Sequence, residues 1–388
     1  MKAFWKIVIR EIRQIKRSPL LLFAIFLLPV ICCVVLSTTF SAGTATKLPI
    51  AVIDSDNGEL SRNIVRAVNS VPSCEVKYRP TDLNEAKKLL STKKIYAVLY
   101  IPKDFGRDIN RLSAPKLTYW YNNQTILIGG VVTKDVQSAV MTASSLVNAS
   151  ILMKQGIPKD ALSSKVNVIK VEEHVKANPY INYSYFLLYA AFAHVFQMMT
   201  MLTSIWTLGS EFKNGTTKRW LKAADGSILT AVFGKFFVYG ILFYLSMISC
   251  YAAYTLIFGA SFEGSVAAFL AGGALFIFAC EALGIMYVAI LSNLRFSLSC
   301  AAFYTASGFT LAGMTYPIAA MPAIMRYYSA LYPIRPFVNL TIDQIMRGFA
   351  PIYDVKNFVW LAALALVGLA FMPLLKKHAE NKDLWYGI

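Results

Sequence analysis

The 388-residue chain has no G-x-x-x-x-G-K-[ST] stretch, so it carries no loop of its own to cradle nucleotide phosphates. H-E-x-x-H and G-x-S-x-G patterns are missing too, and the three histidines, His174, His194 and His378, stand far apart. These absences argue against catalysis within the chain. The six cysteines include no C-x-x-C pair, which excludes a cysteine zinc site and a disulfide framework. Five of them lie in apolar runs. Cys74 stands alone in a polar region, which therefore cannot close an internal disulfide, although a link between chains stays open to it. Charge is scarce: 15% of residues are Asp, Glu, Lys or Arg, against about 25% in soluble proteins, and 56% are hydrophobic. Such a chain belongs in a bilayer.

Acid is scarcer still, with 21 acidic residues against 38 basic and a net charge of +17. No basic stretch outside an apolar segment is interleaved with stacking aromatics, which excludes nucleic acid. The excess instead fits contact with anionic membrane lipids and the fixing of orientation.

A membrane span needs about 20 apolar residues, at about 1.5 Å of rise each against about 30 Å of hydrocarbon. Six segments satisfy or approach this: Leu20 to Phe40 as an uncleaved anchor kinked at Pro29, then Tyr183–Leu208, Ile228–Phe258, Val266–Ile290, Ser297–Thr315 and Phe358–Leu375. Residues 41–182 have ordinary polar composition and alternate strand with helix. Strands are expected at Leu48–Asp54, Cys74–Tyr78, Ile95–Ile101 and Lys116–Tyr121; helices at Glu59–Val71, Leu83–Leu90 and Thr125–Gln155, the last interrupted at Gly129-Gly130. The expected fold is therefore an α-helical polytopic membrane protein of six transmembrane helices with an inserted extracytoplasmic α/β domain between the first and second spans.

Orientation follows from Lys and Arg in the short flanks. Lys2, Lys6, Arg10, Arg13, Lys16 and Arg17 oppose only Glu11, which puts residues 1–18 inside as an interfacial helix, with Phe4, Ile7, Val8, Ile12 and Ile15 along one face. The 209–222 loop holds Lys213, Lys218, Arg219 and Lys222 against Glu211, and the 376–388 tail begins with Lys376 and Lys377. Both termini then lie inside. The 316–357 segment dissents, since it should be external yet carries Arg326, Arg335, Arg347 and Lys356.

Within the apolar runs, Glu281 lines a cavity or dimer seam, or else bonds a neighbouring Ser or Tyr. His194, the other candidate for the substrate pathway or dimer seam, reads as a packed or hydrogen-bonded imidazole rather than a proton carrier. Lys235, close to the inner face, is expected to snorkel.

After the second span comes Leu208-Gly-Ser-Glu-Phe-Lys-Asn-Gly-Thr-Thr-Lys-Arg-Trp-Leu221, a short amphipathic stretch. With its E-x-x-x-G-T pattern at Glu211, Gly215 and Thr216, it resembles the cytoplasmic coupling segment of ABC type-2 exporter permeases. A second stretch, Ser307 to Pro322 followed by Tyr328 to Pro336, resembles that family's proline-broken outer hairpin. Arg17-Ser-Pro19 resembles the end of its connecting helix, with serine in place of an acid. The likeness extends over nearly the whole chain and, by its large insert, to members that export drugs or lipids.

The resemblance implies that Glu211, Phe212, Gly215, Thr216 and Arg219 couple to a separate ABC ATPase, with Glu211 pairing a cation of that partner. It also implies that Arg10 and Arg17 touch the ATPase and that Gly313, Pro317 and Pro322 form an outer gate. The chain itself would hold no cofactor, ATP and Mg being bound by the ATPase. A second copy or similar permease would complete the transporter in a bacterial cytoplasmic membrane, sometimes beside a periplasmic adaptor. The rival reading is a non-transporting scaffold or sensor.

Overall fold

In lipid, a single chain segment satisfies its backbone polar groups by coiling into an α-helix, and long helices dominate the computed structural model. It describes residues 1–388 except 112, 114, 123–125, 155–181, 259–261, 382–384 and 386–388. The chain divides into two compact units, Met1–Ser41 with Val175–Ile388, and Ala42–His174.

Helix α1 (Lys2–Arg17) leads into α2 (Pro19–Thr39). Pro29 has no N–H to offer the Ile25 carbonyl, and just before it α2 widens into a π turn over Phe23–Leu27.

The second unit contains β1 (Leu48–Asp54), α3 (Glu59–Ser70), β2 (Cys74–Tyr78), α4 (Leu83–Ser91), β3 (Ala97–Ile101), α5 (Phe105–Asn110), β4 (Thr118–Tyr121) and α6 (Ile126–Lys154). Its sheet has the order β2-β1-β3-β4, with β2 and β3 parallel to β1 and β4 antiparallel to β3. The central strand β1 is buried on both faces, which explains its unbroken apolar run. Ile50 and Val52 pack with Ile64 and Val68 of α3 and Val132 and Val136 of α6, while Ala51 and Ile53 meet Ala86 and Val98 on the other side. Asp82 caps α4 by accepting the Glu85 N–H at 2.7 Å.

Helix α6 runs unbroken through Gly129-Gly130, against the expected interruption. Four buried contacts at helical spacing, Val132, Val136, Ala139 and Ala143, outweigh a glycine cost of about 1 kcal/mol each. Its expected ends, Thr125 and Gln155, lie outside the described residues, as does His174. The six-residue α5 is too short to leave a periodic signal.

Cys74 is 3% exposed, its sulfur 3.3 Å from Ser73 Oγ, and burial pushes its thiol above the ordinary range. A link to another chain is therefore closed to it while the unit stays folded. In the folded protein Cys74 should resist a maleimide that labels it fully after denaturation, as read by mass spectrometry; rapid native labelling would contradict its burial.

In the first unit α7 (Tyr183–Lys213), α8 (Thr217–Ala223), α9 (Ile228–Phe258), α10 (Val266–Leu291) and α11 (Leu294–Leu311) precede α12 (Ala323–Ser329), α13 (Ile334–Ile342), α14 (Val355–Leu369) and α15 (Met372–Glu380). Helix α7 is the hub: 83% of its most apolar stretch is buried, against 22% for α2. Tyr189 of α7 stacks on Tyr251 of α9 at 5.9 Å, and the Tyr251 hydroxyl donates to the Tyr189 carbonyl at 2.6 Å.

Among the described residues, six helices are long and apolar enough to cross a membrane, but they are not the six read from sequence. Gly129–Met153 within α6 qualifies, and α11 does not. Helix α11 turns Ser297, Thr305 and Gly308 inward, so its polarity is hidden by packing. It is tied to its neighbours along its length: Ser297 Oγ donates to the Tyr287 carbonyl, and about two turns on the Tyr304 hydroxyl donates to the Leu331 carbonyl. The last expected span, Phe358–Leu375, is broken after Leu369, and the helix resumes from Met372 into the tail.

Several contacts gather one end of this unit. Arg10 of α1 meets Glu211 of α7, Phe212 stacks on Trp385, and Ser292 Oγ lies 3.1 Å from His378 Nδ1. Both chain ends and the α7–α9 elbow thus share one side of the bundle. At the opposite end the α9–α10 loop is pinned to the hairpin, where Gln344 accepts the Ser265 N–H at 2.8 Å and donates to buried Asp354 at 2.6 Å.

Candidate functional site

The elbow between α7 and α9 starts at Gly215, whose φ of +64° turns the chain where α7 ends. The Thr216 N–H then donates back to the Glu211 carbonyl at 2.8 Å. Helix α8 docks through Thr217, Trp220 and Leu221, all buried, with Trp220 wholly enclosed. Lys213, Lys218, Arg219 and Lys222 are exposed. The result is a short rod clamped on its apolar side and cationic on the other.

Behind the rod lies a closed ring of four charges of alternating sign. Arg10 contacts Glu11 at 2.8 Å, Glu11 contacts Lys235 at 3.0 Å, Lys235 contacts Glu211 at 3.0 Å, and Glu211 returns to Arg10 at 2.7 Å. The ring ties α1, α7 and α9 together. Glu11 and Lys235 are wholly buried and Glu211 is 3% exposed. Remaining capacity is filled locally: Lys235 donates to the Thr207 carbonyl at 3.3 Å, Tyr239 to Glu11 at 3.2 Å, and Thr216 to Glu211. Lys235 also lies 5.7 Å from the Trp220 ring centroid. Buried charges are tolerated when each has such partners.

Several expectations change here. Lys235 does not snorkel; it is drawn inward by two carboxylates. Glu211 pairs with Arg10 and Lys235 of its own chain. Glu11, read as a lone acid among cations, is buried, while Ile12 is 40% exposed. Arg10 spends its guanidinium on two carboxylates, and Arg17 is exposed. Of the ring's four charges, only Lys235 gave a signal in the sequence, as a lone charge inside an apolar run; Arg10 and Glu11 are neighbours in a charged segment and Glu211 lies two residues from Lys213.

Phe212 is buried against Trp385 with ring centroids 4.5 Å apart. In the hairpin, Gly313 adopts φ +91°, Pro317 precedes a 3-10 turn over Ile318–Ala320, and Pro322 caps α12. Helix α13 is buried, with Ile334, Phe337 and Leu340 fully enclosed. Three of the four dissenting cations have local work: Arg326 donates to the Ala319 and Met321 carbonyls, Arg335 to the Arg326 carbonyl, and Arg347 pairs with Asp343 at 2.7 Å. His194 packs 5.5 Å from the Phe309 ring with Nδ1 unbonded among the described residues. Glu281 is 3% exposed with Oε1 unbonded, so it makes no bond there to a neighbouring Ser or Tyr. The structure brings Glu211, Thr216 and Arg10 together; Glu281, His194 and the hairpin lie elsewhere in the bundle.

The family described as ABC-2 family transporter protein matches residues 19–372. The chain is 21% identical over 375 residues to the probable multidrug ABC transporter permease YbhS of Escherichia coli (strain K12), covering 94% of each. It is 22% identical over 388 residues to the probable multidrug ABC transporter permease YbhR of the same strain, covering 96% of this chain and 98% of the relative. The linearmycin resistance permease protein LnrN of Bacillus subtilis (strain 168) is 22% identical over 405 residues, covering 97% and 99%. With the family match running from α2 to the start of α15, the chain belongs to the ABC-2 family of transporter proteins and is a multi-pass membrane permease.

Proposed function

We propose that this chain is the membrane subunit of an ATP-driven exporter that moves a hydrophobic or amphipathic substrate outward across a bacterial cytoplasmic membrane. A separate ATPase, binding ATP and Mg, supplies the force; a second copy or similar permease completes the pathway, and a periplasmic adaptor extends it. The elbow and both termini face the cytoplasm, which places the α/β unit and the hairpin outside. Gly313, Pro317 and Pro322 shape the outer gate.

The observation that carries this reading is the ring. A push on α8 reaches α7 through the Thr216–Glu211 contact, and the ring carries it to α9 through Lys235 and α1 through Arg10. Three helices then move as one body, where a flexible loop would absorb the motion. The exposed Lys213, Lys218, Arg219 and Lys222 call for an acidic groove on the ATPase, and Arg17 extends the cationic surface along α1.

Reversing two of those charges tests the reading. The Lys218→Glu, Arg219→Glu variant should insert normally, yet bind the ATPase that co-purifies with wild type about tenfold or more weakly, with substrate-stimulated hydrolysis falling in step. Glu211→Gln should keep the ATPase bound and lose the stimulation. Labelling of Lys218 from outside the cell, or the absence of any co-purifying ATPase, would count against the exporter.

A further inference from the structure

A cavity of about 320 Å³ opens between α1, α9 and α10, walled by Phe4, Phe233, Phe237, Tyr244 and Phe278, with Glu281 among them. Phe233 and Phe278 stack across the helix pair, ring centroids 6.1 Å apart at 17°. Two polar side chains line the space. The Tyr244 hydroxyl is committed to the Leu270 carbonyl at 3.0 Å, whereas Glu281 Oε1 has no hydrogen-bond partner among the described residues.

Gly240 makes room for that carboxyl. A Cβ at this position would stand 3.0 Å from Glu281 Oε2 and 3.2 Å from Oε1, so the facing helix places no side chain of its own there. The nearest cation along α9, Lys235, sits five residues, about 7.5 Å, back along the axis, and is already held by Glu11 and Glu211. Among the described residues, the carboxyl is therefore buried within an apolar helix pair without a counter-charge in contact.

Aromatic faces attract cations through their ring quadrupoles, a carboxylate supplies the opposite charge, and apolar walls hold an apolar body. A neutral molecule of the same shape gains the walls alone, and an anion is repelled. The volume falls at the lower end of the 300–1,000 Å³ common for ligand cavities. We propose that this cavity binds a lipophilic monocation with Glu281 as its counter-ion. The assignment rests on the exporter reading, because it names the substrate class that would be moved.

The test uses the full-length protein in lipid nanodiscs and equilibrium dialysis of methyltriphenylphosphonium, with 1,1,1-triphenylethane as its uncharged isostere. Wild type should bind the cation, Glu281→Gln about tenfold or more weakly, and Glu281→Asp close to wild type, which separates loss of charge from loss of fold. The uncharged isostere should bind wild type and Glu281→Gln alike. Equal cation binding by wild type and Glu281→Gln, no cation binding by wild type, or no preference for the cation over its isostere would overturn the proposal. Hydrolysis by the complex with its ATPase separates this from the broader reading. Stimulation by uncharged lipophiles alone keeps the exporter and removes the cation site; cation binding by a chain that engages no ATPase does the reverse.

Discussion

Purified protein carrying Lys235→Met should unfold about 3–5 kcal/mol more readily than wild type, because removing one member of a buried charge set leaves the others uncompensated. The ring holds two cations and two carboxylates, and the substitution leaves Glu11 and Glu211 to share Arg10 alone. Lys235→Met combined with Glu211→Gln restores the balance as an Arg10–Glu11 pair. The double variant should therefore be more stable than the single one, even though it carries one more change. Unfolding in mixed detergent micelles measures both. A single variant within about 1 kcal/mol of wild type would mean that the ring is not the clamp described here. The same comparison bears on function, since the ring is the only charged tie among the described residues that joins α1, α7 and α9.

Gly368→Leu should remove most monodisperse protein from size-exclusion profiles. A Cβ at Gly368 would lie 2.3 Å from the carbonyl carbon and oxygen of Ala282 and 2.8 Å from the Leu283 nitrogen, all backbone atoms that cannot rotate away. Helices α10 and α14 owe their close crossing to that missing side chain. Helix association in lipid depends on such close packing rather than on expelling water, so parting the pair should cost about 3 kcal/mol or more. Ala282 also follows Glu281, and the displaced segment would carry the carboxyl away from Gly240. Gly130 is the internal control: nothing lies within 4 Å of its Cβ direction, and Gly130→Ala in α6 should be neutral or slightly stabilising. Wild-type yield and stability for Gly368→Leu would refute the crossing.

Local pattern was most legible where one rule decides the outcome. Strands β1 and β2 begin and end where the sequence places them: β1 is an apolar run too short for a span and bounded by polar residues, and β2 alternates apolar with charged side chains, a strand period. The long apolar helices followed from length and composition in the same way. Helix α11 shows where this stops: its serine, threonine and glycine lower its apolarity, and only the packing of Ser297, Thr305 and Gly308 against neighbouring helices accounts for them. Gly129-Gly130 misled for the converse reason, since packing against the sheet overrides a weak local preference. Of the site, the Glu211–Thr216 stretch could be recognised from spacing along the chain. Lys235 and Glu11 could not be joined to it, because they lie 24 and 200 residues from Glu211.

By itself, then, the sequence determined that the chain is a membrane protein of several helices with a separate α/β segment, and it marked the elbow. Hydrophobic length, alternation and turn chemistry are local quantities that the chain states in order. Only the tertiary structure decided that Glu211 turns inward to Arg10 and Lys235, that Lys235 is buried rather than drawn to the interface, and that Glu281 stands behind an aromatic wall with Oε1 unbonded among the described residues. Whether a charge at membrane depth is cancelled or left open depends on which helices pack together, and that is fixed by close contact between residues remote in sequence.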